Sequence, residues 1–347
     1  MRALVKSETG LPGLQLQDIA PPEPIPNEVV VRVHSAAICA TDVHIWHDAF
    51  ACAMPVVLGH EFSGTVEAVG PGVAEFATGD LVACENNPDA CGDCPVCRTG
   101  YPNICSAKRA IGFKRDGCFA EFLQVPAAML HKVPAGVSAL AATLAEPLAV
   151  AVHAVVDRCG VHPGDTVVVL GPGAIGLLAA QVARAAGAAR VIVVGTNADA
   201  AQRLPLAAEL GLDTCNVQTD DLRQRVLDLT NGYGADAIIE ASGAVPAVLS
   251  AIDLVRRGGR IGVSGLTGGA EIAIPWDSLV AKAISLNFAY SSRPDNWEHG
   301  LRLLAEGKVQ TLPLITNRFA FSDWQAAFEL MEAGGCIRSV LELEPER

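Results

Sequence analysis

The sequence predicts an α/β protein with two domains, a β-barrel-like domain and a doubly wound parallel sheet flanked by helices. Three observations support this prediction. The chain has 347 residues, which is long for one hydrophobic core. Half of its residues are hydrophobic and 18% are charged, as in folded globular proteins. Near residue 148, short strands separated by turns give way to strands that alternate with helices.

The first part of the chain, up to about residue 145, contains short β-like segments separated by Pro, Gly and Asp. These segments are Val29–Val33, Phe62–Val69, Asp80–Ala83 and Ala120–Val125. Such valine-rich segments with turn residues between them are typical of a β-barrel. The tail from about residue 290 has apolar side chains at helical spacing, such as Trp324 and Phe328, and is expected to pack back on this domain.

The second part of the chain contains apolar strand candidates with helical stretches between several of them. The candidates are Thr166–Leu170, Arg190–Val194, Ala235–Glu240, Arg260–Val263 and Ile284–Ala289. Alternation of strands and helices builds a parallel sheet that is covered by helices on both faces.

Four cysteines lie close together in the first domain. Cys91, Cys94 and Cys97 are spaced C-x2-C-x2-C, and Cys105 follows after seven more residues. This spacing predicts a tetrahedral zinc site rather than disulfides, since the first residues of the chain resemble no signal peptide and predict a cytoplasmic protein. Four sulfur ligands leave no position for water or substrate, so the predicted zinc is structural.

A glycine-rich turn follows the first strand of the second domain. The strand ending at Leu170 leads into Gly171-Pro172-Gly173-Ala174-Ile175-Gly176, and a helix from Leu177 to Ala186 comes next. In this context G-x-G-x-x-G predicts a dinucleotide site: the first glycine makes the tight turn, the second admits the pyrophosphate, and the third lets the helix pack on the strand. The helix N-terminus then presents N–H groups to the phosphates.

The choice between NAD and NADP depends on the end of the next strand, where an acid would bind the ribose 2′-OH. The chain has Gly195 and Thr196 there, and its first acid is Asp199. The missing acid leaves room for a 2′-phosphate, but the nearest cation, Arg203, lies one helical turn beyond Asp199. Asp199 is equally well explained as the N-cap of the following helix. The choice stays open, with a slight preference for NADP.

Three short segments carry side chains suited to a catalytic zinc that keeps one position open. They are Cys39-Ala-Thr41-Asp42-Val-His44, Gly59-His60-Glu61 and Glu146-Pro147. Each segment has an ordinary explanation when taken alone. His60 could be a hydrogen-bonded histidine, Glu61 a solvated charge, and Glu146 the acid at the start of a helix that has Pro147 in its first turn.

Taken together in this order, Gly-His-Glu, the four cysteines, Glu-Pro and G-x-G-x-x-G resemble the zinc-dependent medium-chain dehydrogenases over essentially the whole chain. Gly59-His60-Glu61-Phe-Ser-Gly64-Thr-Val and Leu144-Ala-Glu146-Pro147-Leu148 are similar to the sorbitol (polyol) and threonine dehydrogenase branch. The resemblance implies a GroES-like catalytic domain at residues 1–147 and 290–347, with a structural zinc lobe at about 84–110. It also implies a Rossmann domain at residues 148–289 and a homodimer or homotetramer.

The resemblance also implies residue roles. Cys39, His60 and Glu61 would bind the catalytic zinc, and Glu146 would be a fourth ligand or the anchor of a zinc-bound water. Thr41 would pass the substrate proton to His44. The implied enzyme carries two zinc ions per chain and oxidises a secondary alcohol, in particular a polyol or sugar alcohol, with NAD or NADP. L-threonine or a vicinal diol is an alternative substrate, and a non-catalytic dinucleotide-binding protein is an alternative of another class.

Charge and hydropathy argue against two other partners. The formal net charge is −13 and no run of Lys or Arg is present, which disfavours binding to nucleic acid. The uncharged stretch 166–183 contains three glycines and a proline, so it reads as strand, turn and helix rather than as a membrane span. The expected partner is a small-molecule alcohol.

Overall fold

The computed structural model describes residues 1–343, which form two compact units. Unit 1 comprises Met1–Glu146, Arg293–Ala305 and the residues from Thr311 onward. Unit 2 comprises Pro147–Ser292 and Glu306–Gln310. Each unit therefore contains more than one segment of the chain.

The strands of the described residues are, in chain order, β1 (Arg2–Lys6), β2 (Leu14–Asp18), β3 (Glu28–Ala37), β4 (Val56–Val57), β5 (Glu61–Val69), β6 (Leu81–Cys84), β7 (Phe122–Pro126), β8 (Leu130–Lys132), β9 (Thr166–Leu170), β10 (Arg190–Gly195), β11 (Asp213–Asn216), β12 (Ala235–Glu240), β13 (Val255–Val263), β14 (Ser285–Phe288), β15 (Ile315–Ala320) and β16 (Arg338–Glu342).

The α-helices of the same part of the chain are α1 (Ala40–Trp46), α2 (Pro95–Arg98), α3 (Ala139–Ala142), α4 (Ala145–Val152), α5 (Ala174–Ala185), α6 (Arg203–Glu209), α7 (Leu222–Leu229), α8 (Val245–Leu254), α9 (Trp276–Lys282), α10 (Pro294–Ala305) and α11 (Trp324–Glu332). A π-helical segment, His153–Cys159, continues α4. Short 3-10 turns cover Leu11–Gly13, Pro102–Ile104, Ala127–Met129, Asn197–Asp199, Leu312–Leu314 and Phe321–Asp323.

Unit 1 is built on β3, a strand of ten residues that pairs with β5, β7 and β16. The larger sheet has the order β15-β16-β3-β5-β6-β8, with β7 also on β3, and β2-β1-β4 form a smaller sheet. Val29, Val31 and Val33 alternate along β3 and are fully buried in the core of the unit, as period-two patterning requires. Helices α1 and α11 complete that core, where Trp46 packs edge-on against Phe328 with ring centroids 5.8 Å apart.

The register between β3 and β5 determines which residues of unit 1 lie close together at the ends of these strands. The strands are antiparallel and Ala37 lies opposite Glu61. The end of β3 therefore lies beside the start of β5, and the residues that follow Ala37 come close to those around Glu61.

Unit 2 contains a parallel sheet with the order β11-β10-β9-β12-β13-β14. The predicted doubly wound sheet is thus confirmed. The order reverses between β9 and β12, and ligands of such sheets bind beyond the carboxyl ends of the strands at this point. The turns after Leu170 and Glu240 leave the sheet there.

Within residues 1–343, no helix combines the length and the apolar character that crossing a membrane would require.

Candidate metal and dinucleotide sites

The structure brings Cys39, His60 and Glu61 together in unit 1. The sulfur, ring nitrogen and carboxylate oxygen that these residues offer all lie within 4.8 Å of one another, so the group could hold a metal ion. The β3–β5 register explains why these residues are close together, because Cys39 follows β3 and His60 precedes β5. Gly59 makes the turn into His60 at φ 90°, and a Cβ there would lie 2.6 Å from the Phe119 ring. Only glycine fits this position.

Asp42 links two of the three residues and was not assigned a role by the sequence analysis. The fully buried carboxylate accepts a 2.9 Å hydrogen bond at Oδ2 from the backbone N–H of Cys39. Its Oδ1 lies 3.3 Å from Nδ1 of His60. Burial lowers the pKa of His60, but the charge of Asp42 raises it more, and the net pKa is well above the ordinary histidine value. The spacing Cys39-x-x-Asp42, an acid at the third position of a helix, was the signal that could have identified it.

Arg338, at the start of β16, is a second residue that the sequence analysis missed. Its Nη2 donates to Glu61 Oε1 at 3.0 Å and its Nη1 donates to the carbonyl oxygen of Ile38 at 3.1 Å. The other oxygen, Glu61 Oε2, is buried without a hydrogen-bond partner. Burial raises the pKa of Glu61, although Arg338 and His60 oppose the shift. A buried carboxylate oxygen without a donor fits a metal ligand, because such an atom is otherwise costly.

Glu146 lies near this group but is not one of its three members. Its Oε1 accepts a 2.6 Å hydrogen bond from Nδ2 of Asn86, whose own Oδ1 accepts one from Asn87. Burial and the charge of Glu61 raise the pKa of Glu146 to about 7. Asn86 had no signal in the sequence analysis, because Asn86-Asn87-Pro88 beside the cysteine segment looks like an ordinary turn.

The chain segment that carries Glu146 is fixed to the sheet by hydroxyl groups. Thr143 is hydrogen-bonded through Oγ1 to Ser35 of β3 at 2.5 Å and to Ser63 of β5 at 3.2 Å. These contacts are buried and hold the residues just before α4 against β3, which leads to Cys39, and β5, which begins at Glu61.

Thr41 and His44 both lie on α1. The hydroxyl of Thr41 is 3.6 Å from the sulfur of Cys39, and its side chain is half-buried. His44 is one turn further along the same helix and is exposed. The i,i+3 spacing puts the two side chains on one helix face, leading from the metal-binding group toward solvent.

The four cysteines of the predicted zinc lobe are also assembled. Their sulfurs all lie within 4.8 Å of one another, with Cys91–Cys105 at 3.6 Å, Cys94–Cys105 at 3.9 Å and Cys91–Cys97 at 4.0 Å. These distances are close to the roughly 3.8 Å sulfur separation of a tetrahedron with zinc–sulfur bonds of about 2.3 Å. Hydrogen bonds from backbone N–H groups lower the pKa of Cys105 to about 6, which favours the thiolate that binds metal.

In unit 2, a cavity of about 660 Å³ lies at the carboxyl ends of the strands. Its lining includes the predicted residues Gly171, Pro172, Gly173, Gly195, Thr196, Asp199 and Arg203. Ala174, Ile175 and Gly176 form the first turn of α5, whose N-cap is Gly173. A Cβ on Gly171, at φ 100°, would lie 2.8 Å from the Ser242 side chain, and a Cβ on Gly176 would lie 1.8 Å from the Gly171 carbonyl oxygen.

Glu240 supports the opposite wall of this cavity and was not singled out by the sequence analysis. Its buried carboxylate accepts hydrogen bonds at Oε1 from the N–H of Ser242 at 2.9 Å, the hydroxyl of Ser242 at 2.5 Å and the N–H of Gly243 at 3.0 Å. Ser242 is the residue that Gly171 approaches. Glu240 therefore fixes the loop after β12 against the glycine turn after β9.

Asp199 does not cap the following helix, whose N-cap is Gln202. It is the third residue of a 3-10 turn that begins after Thr196, and its Oδ2 accepts hydrogen bonds from the N–H and hydroxyl of Thr196 at 2.9 and 3.0 Å. Its Oδ1 accepts one from Nη1 of Arg203 at 3.0 Å.

Two family models match the chain. Residues 25–135 match the alcohol dehydrogenase GroES-like domain, and residues 174–306 match the zinc-binding dehydrogenase family. The expectation of a GroES-like domain beside a Rossmann-type parallel sheet is thereby confirmed.

Known proteins resemble this chain over nearly its full length. The sorbitol dehydrogenase of Halalkalibacterium halodurans is 39% identical, with 98% of this chain and 99% of the relative covered. The L-threonine 3-dehydrogenase of Bacillus licheniformis is 37% identical, with 98% of each covered. A structure from Sinorhizobium meliloti 1021, described as a zinc-binding dehydrogenase and bound to NADP, superimposes with a TM-score of 0.91 at 29% identity and covers 98% of each chain.

Proposed function

This chain belongs to the zinc-dependent medium-chain alcohol dehydrogenase family, in the sorbitol and threonine dehydrogenase branch. On that basis we propose which residues bind the metal, transfer the proton and position the cofactor. It is an alcohol or polyol dehydrogenase that uses zinc and a nicotinamide cofactor. The reaction transfers hydride from a secondary alcohol to the nicotinamide and leaves a ketone.

The catalytic zinc is held by Cys39, His60 and Glu61 in this proposal. The observation that carries it is the buried Glu61 Oε2, which has no hydrogen-bond donor and belongs to a carboxylate grouped with a thiol and an imidazole. Glu146 either completes the ligand set or anchors a zinc-bound water; its hydrogen bond from Asn86 supports the second role. A second zinc is held by Cys91, Cys94, Cys97 and Cys105 and stabilises its loop.

Zinc held by this group would supply Lewis acidity, which would lower the pKa of a bound alcohol toward neutral pH. Thr41 is placed to accept the alcohol proton because its hydroxyl lies beside Cys39. His44 receives that proton next and, being exposed, releases it to solvent. Gly171 and Ser242 line the cavity that would position the cofactor, and Glu240 holds Ser242 in place through its hydrogen bonds. The cofactor would carry the electron pair.

The substrate in this proposal is a polyol or sugar alcohol. It is supported by the sorbitol dehydrogenase relative at 39% identity, and by an arabitol-phosphate dehydrogenase relative at 33%. L-threonine is a second candidate, favoured by the similar 37% identity to an L-threonine 3-dehydrogenase.

The deciding experiment is formation of reduced nicotinamide by the zinc-loaded protein, with NAD and NADP in parallel, over polyols, sugar alcohols, threonine and small diols. Turnover confined to polyols supports the proposal, and turnover confined to threonine replaces it with the second candidate. No turnover with any of these substrates, together with one zinc bound per chain instead of two, would point to a non-catalytic dinucleotide-binding protein.

We also propose that the protein is a cytoplasmic homo-oligomer. A tetrathiolate zinc site requires reduced cysteines, which fits a reducing compartment. The last strand of the unit 2 sheet, β14, exposes 65% of Phe288, and the preceding α9 exposes 65% of Trp276 and 66% of Val280. Large apolar side chains at a sheet edge are typical of a surface that another chain covers. Light scattering after size-exclusion chromatography tests this, and a mass of one chain would contradict it.

A further inference from the structure

The end of β10 lacks the acid that would bind the adenosine ribose of a dinucleotide, because Gly195 stands there. The structure shows what fills the resulting space. A Cβ placed on Gly195 would lie 3.0 Å from Cβ of Asp199 and 3.1 Å from its Oδ2. Cγ of Pro172 would also lie 3.0 Å away. Asp199 and the ring of Pro172 therefore fill the space beside Gly195, and the carboxylate of Asp199 lies next to the position of the missing acid.

Asp199 is held firmly in this position. It is only 6% exposed, and the two hydrogen bonds from Thr196 at Oδ2 and the one from Arg203 at Oδ1 fix both carboxylate oxygens. A carboxylate oxygen has two lone pairs, so Oδ1 keeps capacity for one further donor. Asp199 also lines the cavity at the carboxyl ends of the strands, where a ribose hydroxyl could supply that donor.

The charges around the cavity disfavour a phosphate at the same place. Arg203 is the cation nearest in sequence to Asp199, but its guanidinium already pairs with Asp199 at 3.0 Å. A 2′-phosphate would lie beside a buried carboxylate, and the positive charge of Arg203 is already offset by its pair with that carboxylate. The exposed Arg223 and Asp253 of the lining carry opposite charges and add no net preference.

We propose that Asp199 replaces the missing strand-end acid, accepts a hydrogen bond from the adenosine ribose 2′-hydroxyl of NAD, and makes the protein select NAD over NADP. This inference rests on the proposed function only for the presence of a nicotinamide dinucleotide, and it specifies which one. It reverses the slight preference for NADP that the sequence alone gave, because the side chain of Asp199 folds back beside Gly195, where the acid is missing.

Dissociation constants of NADH and NADPH, measured by fluorescence titration of the zinc-loaded protein, test the proposal without requiring a substrate. The wild-type protein is expected to bind NADH at least about tenfold more tightly than NADPH. Asp199→Ala is expected to weaken NADH binding, since it removes the acceptor for the ribose hydroxyl. It is also expected to tighten NADPH binding, since it removes the negative charge that offsets Arg203 and repels a phosphate. In Asp199→Ala/Arg203→Ala the gain for NADPH is expected to disappear.

Two further variants make the result interpretable. Asp199→Asn keeps one oxygen acceptor for the turn and replaces the other oxygen, and the negative charge, by an amide NH2 group. It is expected to shift the NADH/NADPH ratio even if the alanine variant folds poorly. Asp253→Ala removes an exposed acid from the same cavity and is expected to leave the ratio unchanged. Tighter binding of NADPH by the wild-type protein, or an equal shift of the ratio by Asp199→Asn and Asp253→Ala, would overturn the proposal. Selective NADH binding without oxidation of any alcohol would sustain it and count against the proposed function alone.

Discussion

Asp42 contacts both Cys39 and His60 through its two carboxylate oxygens, accepting the N–H of Cys39 at 2.9 Å and lying 3.3 Å from Nδ1 of His60. The two residues come from different elements, the end of β3 and the start of β5. One buried side chain thus fixes the relative position of a thiol and an imidazole. Carboxylates in this relation to a metal-binding histidine orient the ring and raise its basicity.

Asp42→Asn is therefore expected to weaken zinc binding at the Cys39 group by about 10- to 100-fold, because the amide cannot supply the charge that orients His60. Competition with a chromophoric chelator measures the change. Asp18→Asn, which alters an exposed acid of β2, should leave zinc affinity unchanged. Equal zinc affinity in the two variants would show that Asp42 only starts the helix.

Arg338→Ala is expected to lower the free energy of unfolding of the protein stripped of metal by about 3 kcal/mol, because it leaves the carboxylate of Glu61 buried with its pairing cation removed. Urea unfolding followed by tryptophan fluorescence measures this. Arg318→Ala removes the cation of the more exposed pair with Glu342 and is expected to cost less than about 1 kcal/mol. Similar losses in both variants would contradict the special cost assigned to the buried pair.

Cys97→Ser is expected to reduce the zinc content from two ions per chain to one and to speed amide hydrogen exchange throughout residues 84–110. Residues 89–102 of this loop are exposed or half-buried, so their order is expected to depend on the metal. Elemental analysis combined with hydrogen exchange measures both effects. Cys215→Ala, at a buried cysteine of β11, should retain both ions. Slow exchange in the zinc-depleted loop would mean that the loop folds without metal.

Glu240→Gln is expected to raise the dissociation constant for NADH about tenfold while zinc content stays the same. An amide keeps the shape of the side chain but carries no charge, and its NH2 group cannot accept the hydrogen bond that the N–H of Gly243 donates to Oε2 at 3.2 Å. Fluorescence titration provides the measurement. Glu209→Gln, on the exposed end of α6, is the control. Unchanged NADH affinity in both variants would remove Glu240 from the cofactor wall.

In protein stripped of metal with a chelator, the free energy of unfolding is expected to depend on the protonation of Glu146. Its folded-state pKa of about 7 exceeds the ordinary value of 4.5 because of burial and the charge of Glu61. The folded state therefore holds this proton more tightly. The associated stabilisation is complete below about pH 4.5 and is lost as the pH rises through about 7.

Between pH 5 and 8, the stability of the metal-free wild type should consequently fall more steeply than that of Glu146→Gln, by up to about 1.4 kcal/mol per pH unit. Urea unfolding at a series of pH values gives both curves. Parallel curves for the two proteins would mean that Glu146 is ionised in the metal-free fold.

The sequence predicted the framework of the fold well, because strong patterns carried it. The β9 strand and the glycine turn that follows are defined by a run of buried valines and by positions where a side chain does not fit. Strands such as β11 and β16 were not predicted. β11 has four residues of which only Cys215 is buried, and β16 begins with the charged Arg338, so neither shows a clear apolar period.

The predicted zinc and cofactor residues are grouped in the structure, but the residues that support them could not be identified from local patterns. Asp42 and Arg338 act through contacts set by the pairing of β3 with β5 and β16, and such register is not readable from either segment alone. The role inferred for Asp199 depends on its side chain folding back beside Gly195. The linear motif does not show this contact.

The Glu61–Arg338 contact also bears on how the protein is made. The two residues are 277 positions apart, and a ribosome adding about 5–20 residues per second needs on the order of tens of seconds to synthesise the chain between them. Throughout that interval the nascent chain contains Cys39, His60 and Glu61 but not the guanidinium that pairs with Glu61. The fully paired group of Cys39, His60 and Glu61 is therefore a late product of biosynthesis, and a chain that terminates before Arg338 would lack the pairing cation.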